Sequence, residues 1–159
     1  MVTCGACGIG LAICKALAGA GFDVANVSLE STDEASAAMD DIRSMSRKAI
    51  YYPHDIADTG GHAALIEAIH ADLGPIDCLV NNAGVTSLRR GDLLELSCES
   101  FDRSMATNLR GTFFLTQSIA RAMVARKASG GRKPAHYRSI ITITCANADI
   151  IDVNRGDYC

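Results

Sequence analysis

Short runs of apolar and β-branched residues alternate along this chain with stripes of helical periodicity, so that each strand reaches the next through a helix. A chain built this way must cross over between parallel strands. Right-handed βαβ units then give a parallel sheet with helices on both faces. The predicted fold class is α/β, a Rossmann-type doubly wound sheet of about five strands. At 159 residues, 48% of them hydrophobic, the chain is long enough for one core and too short for two. Residues 1–159 are therefore expected to form a single domain.

The elements follow from local pattern. After Val2-Thr3-Cys4-Gly5-Ala6-Cys7-Gly8-Ile9-Gly10, the residues Ile9, Ile13, Ala16, Leu17 and Ala20 recur at helical spacing, and Gly21 suits a left-handed cap. Phe22 to Ser28 reads as a strand. Ser31 and Glu34 have capping-box spacing before a helix whose apolar face is Ala35, Ala38, Met39, Ile42 and Met45. Ala49 to Tyr52 is a third strand. Asp58 or Thr59 is predicted to cap a helix carrying Leu65, Ile66, Ile69 and Leu73, which Gly74-Pro75 ends. Ile76 to Val80 is a fourth strand. Glu99 to about Arg126 reads as one long helix with Phe101, Met105, Leu109, Thr112, Phe113, Ile119 and Met123 on its stripe. Ala128 to His136 is expected to be a flexible surface loop, and Ser139 to Cys145 a fifth strand.

Charge excludes one class of partner. Fifteen basic against 18 acidic residues, with no basic stripe, leave no surface to neutralise a nucleic-acid backbone. No apolar run approaches the roughly 20 residues that span a bilayer, and the start lacks signal-peptide character. The expectation is a cytoplasmic protein with neither nucleic-acid nor membrane partners. Seven cysteines, an odd number, argue against a disulfide framework and are expected mostly to be small buried fillers.

The Gly-rich segment carries the strongest chemical signal. It joins a strand to a helix start, where free N–H groups and the helix dipole favour a pyrophosphate, and small residues let phosphates approach. Cys4-Gly5-Ala6-Cys7 is also a C-x-x-C at a helix start, a setting for thiol redox chemistry. Zinc would need two further ligands, yet there is no second C-x-x-C, and His54, His62, His70 and His136 are scattered; no metal site is expected. Asn81-Asn82-Ala83-Gly84 follows the fourth strand, at the carboxyl edge where open α/β sheets bind ligands.

The glycine turn, the Asn81-Asn82-Ala83-Gly84 loop, Asn108 and Gly156-Asp157-Tyr158-Cys159 together resemble the short-chain dehydrogenase/reductase family, over nearly all of the chain. The wording around Arg90-Gly91-Asp92 and Asn108-Leu109-Arg110-Gly111-Thr112-Phe113-Phe114 resembles members labelled 3-ketoacyl-carrier-protein reductases. The resemblance implies NAD(P)-dependent interconversion of a carbonyl and an alcohol on a small-molecule substrate, and a homo-oligomer. It implies cofactor contacts from Thr3, Gly5, Ala6, Cys7, Gly8, Ile9 and Gly10, from Ser28 at the end of the second strand, from Asp55 and Ile56, and from Asn82, Ala83 and Gly84. Ser28 brings no carboxylate to repel a 2′-phosphate, which favours NADP over NAD slightly; Glu30 lies close by. Asn108 would support a proton-relay water, Cys145 would stand where the family has a carbonyl-orienting serine, and Tyr158 would be the proton donor.

The chain departs from the family pattern at three places. Cys4 occupies the first glycine of Thr-Gly-x-x-x-Gly-x-Gly, a costly exchange if the backbone there has positive φ. Cys145 is a weaker donor than serine, and unless the strand is bulged its alternation is expected to turn Thr144 away from the side Cys145 faces. The lysine four residues after the family's tyrosine would fall beyond Cys159, and only Met1 to Thr3 precedes the glycine turn. The sequence is therefore expected to be truncated at both ends. An inactive fragment retaining at most nucleotide binding stays an alternative, as does a C-x-x-C thiol protein.

Overall fold

The computed structural model describes residues 1–128 and 137–146. Five parallel strands form one sheet: β1 (Val2–Thr3), β2 (Val24–Ser28), β3 (Ala49–Pro53), β4 (Cys78–Asn81) and β5 (Ser139–Thr142), in the order β3-β2-β1-β4-β5. This is the predicted doubly wound α/β sheet. The order reverses beside β1, whose Val2 pairs with Asn26 on one side and Val80 on the other.

Pleat alternation sorts the strand residues between two cores. Val2, Val24, Ala49, Cys78 and Val80 face α1 (Gly8–Gly19) and α2 (Thr32–Arg43), meeting Cys14, Ala18, Met39 and Ile42. Ala25, Val27 and Leu79 face α3 (His62–Leu73) and α5 (Thr112–Ala128), meeting Leu65, Ile69, Leu115 and Ile119. Burial of this size, at about 25 cal/mol per Å² of apolar surface, is what holds such a sheet between its helices.

Several local expectations need correction. In α1 the buried stripe is Gly10, Cys14 and Ala18; Ile9, Ala16 and Ala20 are exposed. The helix has to approach the sheet closely beside the glycine turn, and the inward positions Gly10, Cys14 and Ala18 are all small. The second strand begins at Val24 rather than Phe22, and α2 ends at Arg43, which leaves Met45 exposed. Helix α3 is capped by Gly61, not by Asp58 or Thr59; Asp58 instead accepts the Gly60 N–H at 3.1 Å. The long helix is three pieces: α4 (Cys98–Ser104), a π-helical stretch Met105–Gly111, and α5. Phe101, Leu109 and Phe113 are exposed. Of the six described cysteines only Cys14 and Cys78 are buried. The Ala128–His136 loop, apart from the last residue of α5, lies outside the described residues, as do Tyr158 and Cys159.

The caps that were read correctly are specific. Ser31 and Glu34 form both arms of the capping box, and Gly21 and Gly74 take φ of 95° and 85° after their helices. Among the described residues no helix is long and apolar enough to cross a membrane.

Candidate functional site

The site lies at the carboxyl ends of the strands, on both sides of the order reversal. Its centre is the turn between β1 and α1. Cys4 has φ of 54°, so the residue replacing the family's first glycine does sit in the left-handed region, at a cost of roughly 1 kcal/mol or more. Gly8 follows at φ 50°. At Gly10 an added Cβ would lie 1.9 Å from the Cys4 carbonyl oxygen, and at Gly5 2.7 Å from Asn26 Oδ1. The turn is thus packed tightly beneath, while the first-turn N–H groups of α1 have no intrahelical acceptor. Ala6 is buried under it; Cys7, the helix N-cap, and Ile9 are exposed.

Polar side chains from β1, β2 and the loop after β4 brace this turn. Thr3 Oγ1 accepts the backbone N–H groups of Asn82 and Ala83 at 2.9 and 2.8 Å. Asn82 Nδ2 donates to the carbonyls of Thr3 and Cys4 at 3.1 and 3.0 Å. Asn26, wholly buried in β2, accepts the Gly5 N–H at 2.8 Å. Thr3 and Asn82, expected as cofactor contacts, therefore spend these groups on the protein itself. Asn26 was missed by sequence reasoning; an asparagine between Val24-Ala25 and Val27 inside a strand was the available signal.

Two clefts flank the turn and share Ala83, Gly84 and Val85. One, of about 110 Å³, is lined by Cys4, Ser28, Glu30, Asp55 and Ile56 together with those shared residues. The other, of about 430 Å³, includes Ile9, Asn82, Asn108, Thr144 and Cys145. The structure thus brings together at one edge nearly every site residue that falls in the described segments. Ser28 is buried, and its Oγ has no hydrogen-bond partner among the described residues. Asp55 is exposed and accepts the Ala57 N–H at 2.9 Å, which is a turn-forming contact. The Ile56 carbonyl lies 2.9 Å from His62 Nε2, so that nitrogen carries the proton; burial lowers the pKa of His62.

Asn108 lies in the π-helical stretch and holds Val85 by two hydrogen bonds. A π-helical turn widens the helix and frees backbone groups, and such turns recur at functional sites. Thr142, Ile143, Thr144 and Cys145 all border the larger cleft. The β5 ladder ends at Thr142, the Ile143 N–H reaches Asn81 O at 2.9 Å, and beyond that point no strand pleat dictates facing.

One juxtaposition was invisible to spacing. Glu30, just after β2, brings Oε1 to 3.9 Å from both Cys4 Sγ and Cys7 Sγ. Burial, then the Glu30 carboxylate and the Cys7 thiol, raise the pKa of the Cys4 thiol.

Residues 1–148 match the model of the short chain dehydrogenase family. The chain is 34% identical over 125 residues to a 2-dehydro-3-deoxy-D-gluconate 5-dehydrogenase of Dickeya dadantii, covering 79% of this chain and 47% of that protein. It is 37% identical over 133 residues to a D-threitol dehydrogenase of Mycolicibacterium smegmatis, covering 82% and 48%. A solved 3-oxoacyl-(acyl-carrier protein) reductase of Brucella melitensis, in complex with NAD, superposes with a TM-score of 0.89 at 42% identity. That match covers 99% of this chain and 59% of the reductase. The chain spans about half the length of the curated relatives it matches.

Proposed function

The chain belongs to the short-chain dehydrogenase family, and on that premise we propose that it binds a nicotinamide dinucleotide and serves the interconversion of a carbonyl and an alcohol on a small molecule. One observation carries this reading: the two clefts meet along Ala83, Gly84 and Val85, with the start of α1 beside them, at the reversal of strand order. An extended ligand with a diphosphate at its middle suits that shape.

The residues present fit such a group. The first-turn N–H groups of α1, beyond the small residues Gly5, Ala6 and Gly8, would hold the pyrophosphate. Ser28 Oγ, buried without a partner, would meet the adenosine ribose, with Asp55 and Ile56 bordering the adenine end. No carboxylate stands at Ser28 itself to repel a 2′-phosphate, a slight preference for NADP that Glu30, lining the same cleft, works against. Ala83 and Gly84 would let the ligand pass close to backbone, braced from below by Thr3 and Asn82.

When bound, the nicotinamide supplies or accepts hydride. The chain's own part is then to place and polarise the carbonyl in the larger cleft. Cys145 and Thr144 both border that cleft; a threonine hydroxyl is a better hydrogen-bond donor than a thiol. Asn108 fixes the loop that forms the cleft's wall. Tyr158, by its place in the sequence, would donate the proton to the carbonyl oxygen.

Titrating the purified chain with NADPH and with NADH while following nicotinamide fluorescence tests the reading. Saturable binding is expected, tighter for NADPH. A flat response to both on protein shown to be folded by circular dichroism would overturn it, and tighter NADH binding would overturn the Ser28 argument.

A further inference from the structure

We propose that Cys4, Cys7 and Glu30 form a three-ligand site for a thiophilic divalent cation of the Zn²⁺ class, with a fourth position open to water. The proposal rests on side-chain geometry and stands whether or not the chain binds a dinucleotide.

The two cysteines lie three residues apart, but the carboxylate comes from 26 and 23 residues further along the chain, carried there by the parallel pairing of β1 with β2. The two thiol sulfurs and a Glu30 carboxylate oxygen lie within 4.8 Å of one another, and each sulfur is 3.9 Å from Oε1. Zn–S bonds of about 2.3 Å and Zn–O bonds of about 2.0 Å place tetrahedral S and O ligands roughly 3.5 Å apart, and two sulfurs roughly 3.8 Å apart. The cluster is therefore within a small side-chain adjustment of coordination distance.

A separate feature points to a cation. Glu30 Oε2 is buried without a hydrogen-bond partner among the described residues. A buried carboxylate oxygen is costly unless something positive or a donor meets the group, and the other oxygen, Oε1, accepts from two thiols, which are poor donors. A cation held on Oε1 by the three ligands would offset the charge of this carboxylate.

The supports of the three ligands are already in place. The Cys4 N–H donates to the Val27 carbonyl at 2.7 Å, and the Cys4 carbonyl accepts from Asn82. Tyr51 Oη donates to the Glu30 carbonyl and lies 3.1 Å from that of Ser28, which fixes the chain just after β2. Cys7 is the exposed member, and gives an ion its path from solvent. Two sulfurs and one carboxylate oxygen favour a borderline or soft ion over Mg²⁺ or Ca²⁺. Binding releases both thiol protons to solvent and changes no oxidation state.

The test uses the reduced full chain, titrated with Cd²⁺ while following the ultraviolet thiolate-to-cadmium charge-transfer band, then with Co²⁺ for its tetrahedral visible bands, and with Zn²⁺ as competitor. One ion per chain is expected, displaced by Zn²⁺. Cys7→Ser and Glu30→Gln, each shown to be folded by circular dichroism, should weaken binding by at least roughly tenfold. Cys98→Ser, which removes an exposed thiol elsewhere, should leave it unchanged. Absence of binding, undiminished binding in either ligand variant, or equal loss in Cys98→Ser would overturn the proposal. So would a Cys4–Cys7 disulfide that forms in air at the same rate with and without Zn²⁺, since that marks a dithiol pair rather than a metal site.

Discussion

Asn108 closes a two-point clamp on Val85: its Oδ1 accepts the Val85 N–H at 2.8 Å, and its Nδ2 donates to the Val85 carbonyl at 2.8 Å. The pair ties the π-helical stretch to the loop after β4, where the two clefts meet. Asn108→Ala leaves both backbone groups to find other partners, and should cost about 1–3 kcal/mol of stability. Its direct mark is faster amide hydrogen exchange at Val85, with little change in the strands. Unaltered exchange at Val85 would mean that the clamp does not hold the loop.

Cys4 sits at φ 54°, and Ser46 at φ 61° in the turn after α2. Left-handed backbone costs a residue with a side chain roughly 1–2 kcal/mol, part of which glycine returns through its freer unfolded chain. Cys4→Gly and Ser46→Gly should each raise stability by about 0.5–1 kcal/mol, read as a higher urea midpoint at unchanged slope. Cys4→Gly should also tighten dinucleotide binding, whereas Ser46→Gly, far from the clefts, should not. A lower midpoint in both variants would show that the unfolded-chain entropy of glycine outweighs the strain.

These positions also show what could be read before any fold was known. The alternation of strand and helix determined the sheet, because a parallel crossover has few solutions. Ser31 and Glu34 were legible because a capping box is complete within four residues. The inward face of α1 was not, because the apolar stripe at helical spacing points to Ile9 and Ala16, while close approach to the sheet selects Gly10, Cys14 and Ala18. The break of the long helix at Met105–Gly111 left no composition signal. Glu30 meets Cys4 and Cys7 through strand pairing, a relation that no local spacing encodes.

Ser28 Oγ is buried without a partner, beside the smaller cleft. An unmet hydroxyl costs the free protein about 1 kcal/mol or more, and a ribose hydroxyl would relieve that cost. Ser28→Ala should therefore stabilise the free chain by about 0.5–1 kcal/mol while weakening dinucleotide binding. Thermal melts with and without NADPH measure both effects. A variant that gains stability yet binds as well as before would remove Ser28 from the cofactor contacts.

Cys14 is wholly buried between α1 and the sheet, and burial raises its thiol from an ordinary 9.0 to about 11. The sign follows from which state ionises first. As pH passes 9 the unfolded chain releases this proton while the folded chain keeps it, so the unfolded state gains and stability falls until the folded thiol also ionises near pH 11. The loss is on the order of 2 kcal/mol across that window, with none below it. Lysines and tyrosines titrate in the same range, so the informative quantity is the difference between the native chain and Cys14→Ala. At neutral pH the variant should be less stable by roughly 1 kcal/mol, for the lost packing of a buried sulfur. Between pH 9 and 11 that deficit should shrink and then reverse, because alanine has no proton to lose. Urea unfolding at half-unit pH steps measures it, and a deficit constant with pH would show that the Cys14 thiol does not govern the alkaline limb.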